Sequence, residues 1–309
     1  MVGSKIYQRS CFLWTSPTVK TLEEAILYTL FYADIFNYPL TLNELHRYMV
    51  GFKASPEVIS AKLAEVNGIT EKQGYYMLEG RESILSLRIQ REGTAAGMWP
   101  RALNYGKAIA KLPFVRMVAL TGSLAVCNVD SDADFDYFVV TAHGRVWLAR
   151  LLMVQNVVKP AARRGDEVCP NYILTENALE LPSRNLYHAH ELAQMIPLYG
   201  LNVYKRLLQA NQWFEKFLPN AVASPMPLVP VSGGHSRKRR IAELALSNTI
   251  GSWLESREML RLGKKLNAQG GQGEVQLSPE CCKGHVDSHG HRTFEAFAEK
   301  MQKALKQEP

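Results

Sequence analysis

Residues 119–140, ALTGSLAVCNVDSDADFDYFVV, hold a Gly-Ser pair and then aspartates at every second position. The aspartates are Asp130, Asp132, Asp134 and Asp136. They lead into an apolar run that is typical of a buried strand, although acids are depleted in strands. Alternation along the strand places Asp134 and Asp136 on one face, where their mutual repulsion favours binding of a cation. Mg²⁺ (or Mn²⁺) suits a site of carboxylates and substrate phosphates, where it can assist phosphoryl-type transfer.

The Gly-Ser pair offers the second half of such a site. Gly122 allows the chain to turn sharply and allows backbone to approach a ligand closely. Ser123 adds a hydroxyl, and a helix that begins there presents unpaired N–H groups. The two residues therefore predict a phosphate-binding corner next to the aspartates.

The run Leu120-Thr121-Gly122-Ser123, followed after ten residues by Asp134-Phe135-Asp136-Tyr137, resembles the signature of the DNA polymerase beta-like nucleotidyltransferase superfamily. The flanking elements of residues 101–180 are similar to the minimal fold of that family. The resemblance implies that Gly122 and Ser123 bind the phosphates of an NTP. It also implies that Asp134 and Asp136 are catalytic and bind Mg²⁺ (or Mn²⁺).

The reaction that this resemblance implies is Mg²⁺-dependent transfer of a nucleoside monophosphate from an NTP to an acceptor hydroxyl. The sequence leaves the acceptor open among a small molecule, an RNA end and a protein side chain. For Asp130 and Asp132 two roles stay open, as groups that support the metal ligands or as solvated turn residues, and we favour the second.

A third carboxylate is expected on a neighbouring strand, because members of this family that transfer nucleotides usually carry one. The predicted strand 168–175 contains no acid, and its central polar residue is Asn171. An amide can offer its oxygen to a metal but cannot act as a base. Acids flank the strand at Asp166, Glu167, Glu176 and Glu180. Either one of these serves, or the chain is a DNA-binding or regulatory protein whose nucleotidyltransferase domain binds nucleotides without turnover.

The N-terminal part shows three helix starts followed by a hairpin. Thr21 and Thr41 are each followed three residues later by glutamate, the spacing of a capping box, and Ser55 precedes a proline at the first helical position. This order of elements resembles a winged-helix domain over residues 20–82. A DNA contact through its third helix is an open alternative that the surface charge favours only weakly, since DNA binding needs several positive charges on one face.

We predict an α+β fold in which a nucleotidyltransferase-like mixed sheet with helices is preceded by the winged-helix-like domain and followed by a helical region. The boundaries are an irregular arm at 1–19, the winged-helix-like domain at 20–82, a helix plus the nucleotidyltransferase-like core at 83–185, a C-terminal helical region at 186–266 and a flexible tail with a terminal amphipathic helix at 267–309. The tail is rich in Gly, Gln and His, a composition that buries little surface, so we expect it to be dispensable for folding.

Composition narrows the class of protein. The net charge of +7 favours anionic partners mildly. No apolar run approaches the roughly 18 residues of a membrane span, and no signal peptide is recognisable, so we expect a cytoplasmic protein without a membrane partner. The five cysteines do not suggest a disulfide framework. Cys281 and Cys282 precede three histidines, but adjacent cysteines do not match common zinc spacing.

Overall fold

The computed structural model describes residues 19–221, 237–268, 276–283, 292–293 and 295–300. The fold is mixed α+β, with one three-stranded and one six-stranded sheet. The predicted arm lies outside these residues except for its last position. Within the described residues, no helix combines the length and apolar character needed to cross a bilayer.

The N-terminal module, residues 22–78, contains the predicted helices and hairpin. Its elements are α1 (Leu22–Asp34), β1 (Leu40–Thr41), α2 (Leu42–Arg47), α3 (Pro56–Leu63), β2 (Ile69–Lys72) and β3 (Tyr75–Leu78). Both capping boxes form, and Ser55 accepts a hydrogen bond from the Val58 N–H. The three strands are antiparallel in the order β1-β3-β2.

A single long helix, α4 (Ile84–Ala110), links the module to the larger sheet. Its 27 residues span about 40 Å at 1.5 Å per residue. The helix continues through Gly93 and Gly97 without a break. A glycine within a helix costs only about 1 kcal/mol, which the packing of the rest of this helix offsets.

The larger sheet carries the acid-rich segment at its centre. Its strands are β4 (Val115–Leu120), β5 (Phe135–Thr141), β6 (Val168–Thr175), β7 (Ile196–Tyr199), β8 (Gln276–Leu277) and β9 (Cys281–Lys283). Their order is β7-β4-β5-β6-β9-β8, with β5 and β6 parallel and the other pairs antiparallel. The parallel register sets Asp136 opposite Cys169.

Helices cover both faces of this sheet. They are α5 (Gly122–Ala125), α6 (Val146–Met153), a π-helical turn (Val154–Val158), α7 (Lys159–Ala162), α8 (Leu186–Gln194), α9 (Leu201–Ala210), a 3-10 turn (Gln212–Lys216), α10 (Arg237–Leu246) and α11 (Thr249–Ala268). The helical backbone continues through Pro160, because the π-helical turn runs directly into α7.

We expect a helical region at 186–266, but the structure also contains a strand there. Residues 196–199, which include Pro197, form β7 at the edge of the sheet. An edge strand tolerates proline because some of its N–H groups face away from the neighbouring strand. Gly200 has a φ of +77°, and a Cβ there would overlap the Arg116 carbonyl oxygen, so glycine is required at this turn.

The expectation of a flexible tail is wrong for residues 276–283. They form β8 and β9, and β9 pairs with β6. Cys281 and Cys282 are buried, so sheet pairing and two small apolar side chains order a segment whose overall composition suggests disorder. Residues 295–300 are helical as predicted, with Phe297 buried and Lys300 paired with Asp34 of α1. The three histidines after Cys282 lie outside the described residues.

Two apolar cores lie on opposite sides of the six-stranded sheet. On the module face, Phe138 and Val140 pack with residues of the N-terminal module, α8 and α9. On the other face, Tyr137 and Val139 pack with residues of α4, α6 and α11. Because side chains alternate along β5, Asp136 lies on the module face, where it meets the N-terminal module.

Candidate active site

The Gly122-Ser123 turn lies directly against the Asp136 carboxylate. Gly122 has a φ of +68°, and a Cβ at this position would overlap Asp136 Oδ2. The Thr121 N–H donates a hydrogen bond of 3.0 Å to the Asp136 carbonyl oxygen and fixes the two segments together. Glycine is therefore needed here for both its backbone conformation and its lack of a side chain.

The carboxylates of Asp134 and Asp136 lie close to the thiol of Cys169. One ligand atom from each of the three residues lies within 4.8 Å of the other two. Asp136 Oδ1 is buried and has no hydrogen-bond partner. A buried carboxylate oxygen without a donor is costly, and a bound cation removes that cost, so the residues fit a divalent metal.

The electrostatics of Asp136 reflect the same crowding. Burial raises the pKa of its carboxyl well above the usual range, and the negative charges of Asp134 and Glu191 raise it further. Burial and the two negative charges each disfavour the ionised carboxylate. An adjacent divalent cation would offset these three effects, because it stabilises the ionised form.

A cavity of about 350 Å³ opens in front of these groups. All four predicted site residues, Gly122, Ser123, Asp134 and Asp136, line it, as does Asn171 of β6. The structure thus brings the two halves of the predicted site together in one space. Asp130 and Asp132 do not line this cavity, and both are exposed.

None of the acids that flank β6 lines the cavity. Asp166 accepts a 2.6 Å hydrogen bond from the Tyr105 hydroxyl and pairs with Arg101, and Glu180 pairs with Arg184. Glu167 acts on the site only at a distance, through a minor effect of its charge on the pKa of Asp136.

Glu191 supplies a third carboxylate to the cavity from a helix rather than from a strand. Four residues of α8 line the cavity: Tyr187, His190, Glu191 and Gln194. Counted from Tyr187, the other three follow after three, four and seven residues, which is the spacing of side chains on one helical face. Sequence reasoning missed Glu191 because it sought an acid on β6, although this spacing was readable.

Aromatic residues of the N-terminal module also line the cavity and form an aromatic wall. Tyr32, Phe36 and Tyr38 line the cavity, and the Tyr32 ring stacks on His190 with centroids 3.9 Å apart. His190 Nδ1 lies 2.9 Å from the Leu186 carbonyl oxygen, to which it donates. Burial lowers the pKa of His190 to about 4, so this wall is uncharged near neutral pH.

The loop that carries the aspartates is tied to the end of α1. Arg91 of α4 donates to both oxygens of Asp130 at 3.0 and 3.1 Å. The side chain of Asn128 donates to the Phe36 carbonyl oxygen at 3.1 Å, and the Tyr38 hydroxyl lies 2.9 Å from the Val126 carbonyl oxygen. Asp130 is thus an ion-paired anchor of the loop rather than only a solvated turn residue.

Lys283 of β9 adds a positive charge to the cavity wall. Its Nζ lies 3.3 Å from His188 Nε2. Sequence reasoning missed this residue because it assigned the segment to a flexible tail.

Comparisons of the chain with protein-family models, with curated proteins and with solved structures found no match.

Proposed function

We propose that the protein is a metal-dependent nucleotidyltransferase that moves a nucleoside monophosphate from an NTP to an acceptor hydroxyl. The observation that carries the proposal is the unpartnered, buried Asp136 Oδ1 beside Asp134, directly against Gly122. The two crowded carboxylates suit a bound cation. The adjacent turn, which has no room for a side chain, suits a phosphate that contacts this cation.

Asp134 and Asp136 would hold the metal. Mg²⁺ or Mn²⁺, when bound, would neutralise charge on the phosphates and stabilise the attacking and leaving oxygens. Gly122 leaves room for a phosphate, and the Ser123 hydroxyl can donate to it. Lys283 of β9 adds a positive charge to the cavity wall, which complements an anionic triphosphate.

Glu191 is our candidate for the group that accepts the proton of the acceptor hydroxyl. It is half-buried in the cavity wall, and its charge reaches Asp136. A positioned carboxylate near the reacting oxygen is a common general base.

The aromatic wall of the N-terminal module suits a planar or apolar part of a substrate. Tyr32, Phe36 and Tyr38 line the same cavity as the acids, and stacking on aromatic rings binds bases without reading their sequence. On the DNA-binding alternative, Lys62 of α3 pairs with Glu23 and Glu65, which reduces the positive charge of that helix. We therefore propose that the module recognises substrate in this cavity.

A second candidate function is nucleotide binding without transfer, in a regulatory protein. The observation that favours it is the composition of β6, which presents Cys169 and Asn171 beside the aspartates and no carboxylate. This candidate and the enzyme share the metal and phosphate contacts and differ only in turnover.

The test is incubation of the protein with α-labelled NTPs, Mg²⁺ and cell extract, followed by tracing of the label. We expect label on an acceptor with the parent and none with the double variant Asp134→Asn and Asp136→Asn. Asp132→Asn, which changes an exposed aspartate of the same loop, is the matched control and should retain transfer. NTP binding without any labelled product would favour the second candidate, and absence of both would exclude the two together.

A further inference from the structure

We propose that Cys169 is a third metal ligand beside Asp134 and Asp136, and that the site consequently binds Zn²⁺ in preference to Mg²⁺. The inference rests on the proposed function in that it concerns the same metal site. It adds the identity of the ion that binds most tightly, and it makes Zn²⁺ a competitor of Mg²⁺ there.

The geometry places the thiol where a third ligand is needed. Cys169 is opposite Asp136 in the parallel β5–β6 register, and its Sγ belongs to the group whose ligand atoms lie within 4.8 Å of one another. Among the described residues this is the one group of three or more such side chains close enough to share an ion.

An independent observation points to a ligand at this position. Asp136 Oδ1 is buried and unpartnered, although the carboxylate is next to a thiol that can donate only weakly. The neighbouring Gly122 has no side chain that could fill the space or donate to this oxygen. The site therefore has an unsatisfied acceptor and two further ligands that converge on it.

The chemistry of the ligand set decides the preference. Carboxylate oxygens bind Mg²⁺, Mn²⁺ and Zn²⁺, whereas thiolate is a soft ligand that favours Zn²⁺ and disfavours Mg²⁺. On binding, the S–H bond of Cys169 breaks, its electron pair forms the sulfur–metal bond, and the proton leaves to solvent. No oxidation or reduction takes place.

The other described cysteines provide controls for a spectroscopic test of Cys169. Cys127 is half-buried, and Cys281 and Cys282 are buried in β9. None of the three belongs to the group that converges with Asp134 and Asp136. Cys127→Ser is therefore a matched control for Cys169→Ser, because both remove one thiol from a partly buried position.

The experiment titrates the metal-free full chain with Co²⁺, a spectroscopic probe for zinc sites, and with Zn²⁺ and Mg²⁺ by calorimetry. We expect a thiolate-to-cobalt charge-transfer band in the parent and in Cys127→Ser and none in Cys169→Ser. Loss of this ligand should weaken Zn²⁺ binding by about tenfold or more, with Mg²⁺ affinity changed by less than about threefold. Cys169→Asp, which restores a third carboxylate, should strengthen Mg²⁺ binding and weaken Zn²⁺ binding.

A charge-transfer band that persists in Cys169→Ser, or Zn²⁺ affinity unchanged in both Cys169 variants, would overturn the inference. Its failure is distinguishable from failure of the proposed function. If label is transferred with Mg²⁺ but Cys169 does not affect Zn²⁺ binding, the enzyme proposal stands without the zinc site. If the cobalt band depends on Cys169 but no NTP is bound or turned over, the zinc site stands and the enzyme proposal fails.

Discussion

Asp136 is the residue at which the proposed function conflicts most clearly with stability. Its carboxyl is buried against Gly122 beside Asp134, and one of its oxygens has no donor. A fold selected only for stability would place an apolar or amide side chain there. Groups kept for function commonly cost stability, and relieving them commonly gains roughly 0.5–2 kcal/mol.

Asp136→Asn should therefore stabilise the metal-free protein, and more so at higher pH. The pKa of Asp136 is raised by burial, so the folded state holds its proton more tightly than the unfolded state. The parent loses stability as pH rises from about 4 through the folded pKa, whereas the asparagine variant does not. Denaturation in chelator at about pH 5 and about pH 8 should show the larger gain at the higher value, roughly 0.5–2 kcal/mol.

Asp132→Asn is the control for this measurement, because Asp132 is exposed and should change stability little at either pH. An Asp136→Asn protein that is clearly less stable than the parent at the higher pH would mean that the carboxylate has a structural role, and the metal site would lose its main support.

His190 gives the opposite dependence on pH. Burial lowers its pKa to about 4, so the unfolded state takes up a proton from about pH 6.5 downward while the folded state does not. This residue should remove up to about 3 kcal/mol of stability between those values. His190→Asn should flatten the fall in stability, measured by denaturation across this range, whereas exposed His143→Asn should leave its slope unchanged.

At the scale of elements, the sequence predicts the helix starts but not the outer strands of the larger sheet. The starts of α1, α2 and α3 were predicted from Thr21, Thr41 and Ser55, because a cap depends on residues three positions apart. The strands β7 and β9 were missed, because each is short and is ordered by pairing with a strand distant in sequence. A strand of a few residues has no periodicity long enough to distinguish it from a loop.

The candidate site also contains residues that the sequence predicts and residues that only the tertiary structure places there. Gly122, Ser123, Asp134 and Asp136 were predicted from spacing along a single segment. The β5–β6 register brings Cys169 close to the aspartates, and the packing of α8 brings Glu191 into the cavity wall; neither placement follows from the spacing of residues along one segment.

Removal of the residues after 266 should destabilise the protein, contrary to the expectation from composition. The described part of that segment buries Cys281, Cys282 and Phe297, and full burial of a phenylalanine alone contributes about 1.5–3 kcal/mol. We expect the melting temperature to fall by roughly 5–10 °C. A chain ending at residue 290 retains β8 and β9. Its melting temperature should therefore fall less, by the amount that the two strands contribute. Equal melting temperatures for all three chains would show that these contacts contribute nothing.

The aromatic wall offers a test of the module's role. Phe36 lines the cavity but is 37% exposed, so Phe36→Ala should alter stability little. If a base stacks on it, NTP affinity measured by calorimetry with Mg²⁺ should weaken by about 1–3 kcal/mol. Ile89→Ala, also exposed but outside the cavity, is the control. Unchanged NTP affinity in Phe36→Ala would place the base elsewhere.

At the scale of the whole molecule, ligand binding should appear as added stability. Mg²⁺ and NTP together should raise the melting temperature of the parent with the logarithm of free ligand concentration. The double variant Asp134→Asn and Asp136→Asn should show little of this increase, although its metal-free form is at least as stable. A variant that responds like the parent would mean that nucleotide binds without these carboxylates.

The order of the cavity walls along the chain has a consequence for biosynthesis. Tyr32, Asp136 and Glu191 are translated well before Lys283, whose strand pairs with β6 only after it has emerged from the ribosome. A nascent chain can fold the module and much of the sheet while the cavity still lacks one wall. The proposed activity should therefore arise only late in synthesis, after β9 has joined the sheet.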